Sequence, residues 1–94
     1  MNRSVEFKRS FDRLYQKLND SEKTKVRSVL DRFLSTLEEN RAPAGLGLKR
    51  LKKDIWEIRV DIHLRVSFRM QKNRIEFGVV GNHEDIKRYL KNFR

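Results

Sequence analysis

Three runs in the second half of the chain decide its fold: Ile55-Trp56-Glu57-Ile58-Arg59-Val60, Leu64-Arg65-Val66-Ser67-Phe68-Arg69-Met70 and Arg74-Ile75-Glu76-Phe77-Gly78-Val79. In the first, Trp56, Ile58 and Val60 alternate with Glu57, Arg59 and Asp61. In the second, Leu64, Val66, Phe68 and Met70 alternate with Arg65, Ser67 and Arg69. The third sets Ile75, Phe77 and Val79 against Arg74, Glu76 and Gly78. A period of two sends successive side chains to opposite faces of an extended chain, so the spacing predicts three strands, each with one apolar and one polar face.

The short connections set the register. A two-residue turn at Lys72-Asn73 pairs Met70 with Ile75, Phe68 with Phe77 and Val66 with Val79, which keeps the apolar set on one side. On the other side Arg69 then faces Glu76, and Ser67 faces Gly78. A three-residue loop, Asp61-Ile62-His63, pairs Val60 with Leu64 and Arg59 with Arg65. Two arginines directly opposite each other repel unless something anionic lies between them.

Upstream the period becomes helical. After an extended start at Val5-Glu6-Phe7, residues Phe11, Leu14, Tyr15 and Leu18 recur at i, i+3, i+4 and i+7, with Ser10 as the expected N-cap. Asn19-Asp20-Ser21 opens a second helix, whose stripe of Val26, Val29, Leu30, Phe33, Leu34 and Leu37 runs to about Asn40. Ala42-Pro43-Ala44-Gly45 stops it, because proline cannot continue a helix. The pair forms an antiparallel hairpin that covers the apolar face of the sheet. Downstream, Asn82-His83-Glu84-Asp85 carries a cap and an acid three residues later, followed by Ile86, Tyr89, Leu90 and Phe93 at helical spacing. The expected architecture is one α+β domain over residues 1–94 in the order β-α-α-β-β-β-α. It has a small, mainly antiparallel four-stranded sheet with Val5 to Phe7 as its fourth strand, the helix hairpin on one face and a short C-terminal helix.

A chain of 94 residues has room for a single modest core. Its 23 Lys and Arg against 13 Asp and Glu leave a formal charge of +10, so a polyanion is the first partner to consider and an acidic protein the second. The charge is concentrated: residues 1–40 hold nine basic and seven acidic side chains, residues 41–94 fourteen and six. The absence of cysteine excludes a disulfide framework, a thiolate nucleophile and a cysteine-based zinc site. No apolar run approaches the length of a membrane span, and Met1-Asn2-Arg3-Ser4-Val5-Glu6 lacks the apolar stretch of a signal peptide. A soluble cytoplasmic protein without a membrane partner is expected.

Three constellations could carry chemistry. Gly45-Leu46-Gly47-Leu48-Lys49-Arg50-Leu51-Lys52-Lys53 reads as a partly anchored basic segment beside the sheet, suited to phosphate contacts through Lys49, Arg50, Lys52 and Lys53, or else as a solvated loop. Its glycines do not match a P-loop. The polar sheet face groups Glu57, Arg59, Arg65, Ser67, Arg69 and Arg74; an ion pair accounts for Arg69 with Glu76, whereas Arg59 and Arg65 have no carboxylate directly opposite and suit phosphate. Of the two histidines, His63 falls in a hairpin loop, while His83 sits at a helix N-terminus beyond the strand that borders Arg65, either as a general acid or base or as a residue beside a cap. Two histidines this far apart make no metal site by themselves.

With these residues in place, the chain resembles the RelE/ParE superfamily of bacterial toxins from type II toxin-antitoxin pairs. The resemblance rests on Gly47-Leu48-Lys49-Arg50-Leu51-Lys52, Ile55-Trp56-Glu57-Ile58-Arg59-Val60, Leu64-Arg65-Val66-Ser67-Phe68 and Val79-Val80-Gly81-Asn82-His83-Glu84-Asp85. It spans nearly the whole chain. It implies one of two activities on one fold: a RelE-like mRNA interferase, which is a ribosome-dependent endoribonuclease cutting mRNA without metal or other cofactor, or a ParE-like inhibitor of DNA gyrase without nuclease activity. By position, Arg65 matches the arginine that stabilises the scissile phosphate, Arg59 a basic residue on the neighbouring strand, and His83 the general acid after the last strand. Lys49 to Lys53 match lysines that contact ribosomal RNA and phosphate, and Tyr89 a tyrosine that stacks on an mRNA base, although its helical spacing with Leu90 and Phe93 equally suits packing. Glu57 stands where some nuclease members carry lysine, and is either a general base or a carboxylate neutralising Arg59. The implied partners are a cognate antitoxin, in a toxin-antitoxin hetero-oligomer, and the ribosome with its mRNA. Arg59, Arg65 and His83 together favour the nuclease.

Overall fold

The structure, a computed structural model, describes residues 3–39, 41 and 45–92. The expected helix end at Asn40, the breaker Ala42-Pro43-Ala44 and Phe93 lie outside the described residues. The elements are β1 (Ser4–Phe7), α1 (Arg9–Gln16), α2 (Asp20–Glu38), β2 (Leu48–Lys52), β3 (Ile55–Arg59), β4 (Arg65–Gln71), β5 (Arg74–Gly81) and α3 (His83–Leu90). They build one sheet in the order β1-β5-β4-β3-β2, with β1 parallel to β5 and every other pair antiparallel.

The expected α+β class holds, with five strands instead of four. The additional strand is the basic segment Leu48–Lys52, which pairs antiparallel with β3 as an edge strand. A bulge between Arg50 and Lys52 breaks its alternation, which is why the leucines at irregular spacing did not read as a strand.

Both hairpin registers follow the turns. Arg59 lies opposite Arg65, and the Val60 N–H donates to the Leu64 carbonyl at 2.8 Å. Beyond the Lys72-Asn73 turn, Met70 pairs with Ile75, Arg69 with Glu76 and Phe68 with Phe77. The register then shifts: Ser67 pairs with Val79 and Val66 with Val80, correcting the expected pairs Ser67 with Gly78 and Val66 with Val79. Gly78 is the extra residue of a β-bulge, and the slip turns Val79 to the face opposite the main core. A side chain at Gly78 would collide with the Tyr89 hydroxyl, so the bulge and its glycine let α3 lie close to the sheet.

On one face the helix hairpin meets the sheet through Phe11, Val26, Leu30 and Phe33 against Ile58, Val66, Phe68, Ile75 and Phe77. Phe33 packs with its ring centroid 4.9 Å from Phe68 and edge-on to Phe77 at 6.5 Å. Burying aromatic rings in tilted contact contributes about 0.5–1.5 kcal/mol per pair beyond area alone. Asn19 starts α2 with a capping box, accepting from the Glu22 N–H at 2.8 Å while Glu22 accepts from the Asn19 N–H at 2.9 Å. Ser10 is not the cap of α1, which Lys8 precedes without a side-chain cap bond. Its hydroxyl donates instead to the Gly78 carbonyl at 2.6 Å, tying α1 to the bulge.

The other face is only partly open. α3 packs on β5 and β4, and Ile86, Val79 and Ile55 are buried outside the main core. The expected fully polar face is therefore half covered, and that cover shapes the site.

Candidate phosphate-binding site on the sheet

Directly paired residues in a sheet point to the same side, so the ladders place side chains in rows. One row runs Gly47, Arg59, Arg65, Gly81: the Arg59 N–H donates to the Gly47 carbonyl at 3.3 Å, Arg59 pairs with Arg65, and Arg65 with Gly81. The adjacent row runs Lys49, Glu57, Ser67, Val79. The sequence-predicted residues Arg59, Arg65, Glu57 and Lys49 are thus brought together on one face.

Their ends are small for a reason. Gly47 adopts φ +65, and a Cβ there would sit 3.1 Å from the Arg59 Cβ, so a larger residue would crowd Arg59. At the other end a Gly81 side chain would collide with the Asp85 carboxylate, which caps α3 by accepting from the Asn82 N–H at 2.9 Å. Asn82 accepts in turn from the Asp85 N–H at 2.9 Å, completing the box anticipated from sequence. This start of α3 fixes His83, exposed as the first helical residue and two positions beyond the partner of Arg65.

Glu57 is the feature the sequence concealed. It is only 4% exposed, and its Oε2 accepts from Arg65 Nη1 at 3.0 Å. No carboxylate lies directly opposite Arg65, as expected, but the reading of Glu57 as the carboxylate neutralising Arg59 is corrected: Glu57 pairs diagonally with Arg65, because Ser67 and not an arginine lies directly opposite it. A carboxylate taken out of water keeps its charge only with a partner, and Arg65 supplies it. Arg65 Nε is buried and without a hydrogen-bond partner, so the guanidinium is anchored from one end. Arg59 is exposed and forms no ion pair among the described residues. Ser67 is buried, its hydroxyl donating to the Trp56 carbonyl at 3.2 Å.

Arg69 pairs through Nε with Asp54 at 3.0 Å, not with Glu76 as expected; Glu76 instead takes Arg74 at 3.1 Å and Lys8 at 3.8 Å. Tyr89 lies over Gly78, its hydroxyl where a side chain at that position would sit. Burial raises its hydroxyl above the ordinary phenol value, with Glu76 adding to the rise and Arg69 opposing it. Packing on the bulge accounts for its helical spacing.

The basic segment splits. Lys49 and Lys52 pair with Glu57 and Ile55, whereas Arg50 pairs with Trp56 and so belongs to the opposite face, and Lys53 occupies the turn with φ +48. His63 is exposed in the β3–β4 loop. Asp61 shapes that loop by accepting from the His63 and Leu64 N–H groups at 2.8 Å each. Among the described residues, no three His, Asp or Glu side chains gather into a possible metal site, and no helix is long and apolar enough to cross a membrane.

No protein-family model and no curated protein matches the sequence. Solved structures do match the fold. The RelB-RelE antitoxin-toxin complex from Methanococcus jannaschii aligns with TM-score 0.70 at 16% identity, over 90% of this chain and 98% of that one. The DinJ-YafQ toxin-antitoxin complex from E. coli aligns with TM-score 0.69 at 15% identity, over 92% and 98%. The YoeB dimer from Staphylococcus aureus aligns with TM-score 0.66 at 18% identity, over 88% and 99%. The chain has the α+β fold of these RelE-like toxin structures along almost its full length.

Proposed function

We propose that the protein is the toxin of a toxin-antitoxin pair and acts as a ribosome-dependent endoribonuclease on mRNA. The observation that carries the reading is the cross-strand arginine pair: Arg59 open to solvent, Arg65 beside it and anchored to a buried Glu57, and His83 held by a capped helix at the end of the same row. The shared fold with RelE, YafQ and YoeB supports it.

The chemistry follows from what RNA offers. Loss of the 2′-hydroxyl proton to solvent lets that oxygen attack the adjacent phosphorus, forming a 2′,3′-cyclic phosphate as the bond to the 5′ oxygen breaks. Negative charge grows on the phosphate oxygens, and Arg59 and Arg65 are placed to bind it. His83 donates the proton that the departing 5′ oxygen takes up. Glu57 holds Arg65 in place; with its carboxylate buried and bonded to the guanidinium, it serves as a positioning residue and not as the base. Lys49 and Lys52 extend the cationic surface along the same face, where they neutralise phosphates of RNA on the ribosome. The end groups of the product test this scheme: upstream fragments should carry 2′,3′-cyclic phosphates and downstream fragments 5′ hydroxyls, while 5′-phosphate ends would refute it.

The same reading assigns an antitoxin as partner. The strongly basic half calls for an acidic or amphipathic segment that folds as it binds. Apolar surface left open on the edge strand, with Val5 39% and Phe7 44% exposed, suits such a segment. A small protein encoded beside this one should co-purify with it, and stable expression of an active form with no such partner would count against the pairing.

A further inference from the structure

Arg59 belongs to a second feature besides the arginine row. It lines a cleft of about 400 Å³ between α2 and the β3–β4 loop, together with Arg32 and Val29 from α2, Leu46 and Gly47 ahead of β2, and Ile62 from the loop. Val29 and Arg32 lie three residues apart and so share one face of their helix. Leu46 is buried at 7% exposure while Ile62 is 70% exposed, so the cleft has an apolar floor and one apolar wall. Arg32 and Arg59 are both exposed, and neither forms an ion pair among the described residues. One acid, Asp61, also lines the cleft. Its charge is already engaged by two backbone N–H groups and by Lys25 at 3.4 Å, so the cleft remains cationic.

We propose that this cleft is a nucleotide subsite for single-stranded RNA, taking the unit next to the scissile phosphate. The inference rests on the nuclease reading and adds to it a residue outside the sheet. Two arginines from separate elements match a phosphate oxygen set, and an apolar floor beside them offers a surface for an unpaired base; together they fit one nucleotide better than an isolated anion. The volume falls in the range of roughly 300–1,000 Å³ that small-ligand sites occupy. Because Arg59 is shared by the cleft and the row, a nucleotide in the cleft would lie beside a phosphate held by Arg59. Arg32 then determines which nucleotide is tolerated beside the cut and does not take part in bond breaking.

The test compares wild type, Arg32→Gln and Arg13→Gln in a translation reaction, mapping mRNA 5′ ends; Arg13, exposed on α1 and outside the lining of the cleft, controls for loss of one charge. Arg32→Gln is expected to slow cutting about tenfold, the worth of a charge-assisted phosphate contact, and to broaden base usage at one position flanking the cut. Arg13→Gln should retain the wild-type rate and base usage. A cut pattern and rate for Arg32→Gln that match Arg13→Gln would overturn the subsite while leaving the nuclease reading in place. If Arg32→Gln cuts normally but loses affinity for the antitoxin, the cleft serves an acidic protein segment and the proposal fails. Wild-type protein that cuts no mRNA overturns both, and is distinguished from the first outcome by the wild-type lane alone.

Discussion

Glu57 and Arg65 form a part-buried ion pair across β3 and β4, Oε2 to Nη1 at 3.0 Å, with the carboxylate end almost wholly removed from water at 5% side-chain exposure and the guanidinium end at 21%. Removing one partner of such a pair strands the other, typically at about 3–5 kcal/mol, against a total stability of about 5–15 kcal/mol for a small domain. Arg65→Ala is therefore expected to lower stability by about 3 kcal/mol, the lower end because Arg65 is partly solvated. Arg65→Ala combined with Glu57→Gln should recover part of that loss without restoring activity. Urea unfolding of the single and double variants checks the coupling; a stability unchanged in Arg65→Ala would mean that the pair holds nothing.

The rows separate the basic side chains of β2 by face. Lys49→Ala is expected to weaken binding to ribosomes and to reduce the salt dependence of binding by about one phosphate's worth, a slope change of about 0.7–0.9. Arg50→Ala, on the opposite face, should leave the slope close to wild type. Equal effects of the two substitutions would contradict the row assignment.

Docking of α3 depends on the absence of a side chain at Gly78, where a Cβ would meet the Tyr89 hydroxyl. Gly78→Ala should destabilise the fold by about 1–3 kcal/mol, as overpacking does. Shortening the opposing side chain in Gly78→Ala with Tyr89→Leu should return part of it. Thermal unfolding gives the coupling, and simple additivity of the two substitutions would show that Tyr89 does not pack there.

Asp61 carries a stated pH dependence. The His63 N–H, first among its partners, together with Lys25 and the Leu64 N–H, holds its carboxyl below the ordinary 3.8, against the opposing effect of burial. Its contribution is present above the unfolded-state value and is lost as pH falls through the lower folded value. An NMR titration of the Asp61 carboxyl should give a midpoint below 3.8, and Asp61→Asn should speed amide exchange at His63 and Leu64. A midpoint at or above 3.8 would contradict the bonding pattern.

Much of this fold is written in the alternation of β3, β4 and β5 and in the cap signals at Asn19 and Asn82, because both are local rules that a linear chain displays. The pairing of Arg59 with Arg65 was legible for the same reason, since a three-residue loop leaves few registers. What escaped reading depends on tertiary context. The bulge at Gly78 changes the face of Val79 without altering composition, and β2 becomes a strand only because β3 offers it an edge. Glu57 read as a general base or as the partner of Arg59, because its burial and its diagonal bond to Arg65 cannot be seen from the residues directly opposite. The Arg32 cleft joins residues 27 positions apart, beyond any local pattern.

The central claim is tested most directly by mapping mRNA 5′ ends in a translation reaction after adding wild-type protein, Arg59→Ala or His83→Gln. Both substituted side chains are exposed, so their loss spares the core. Wild type is expected to cut ribosome-bound mRNA at discrete positions. Arg59→Ala should cut about 10²–10³ times more slowly through lost charge stabilisation. His83→Gln should also slow strongly, because glutamine can hydrogen-bond but has no proton to give near neutral pH. Wild-type protein that leaves ribosome-bound mRNA intact while blocking gyrase supercoiling would contradict the account.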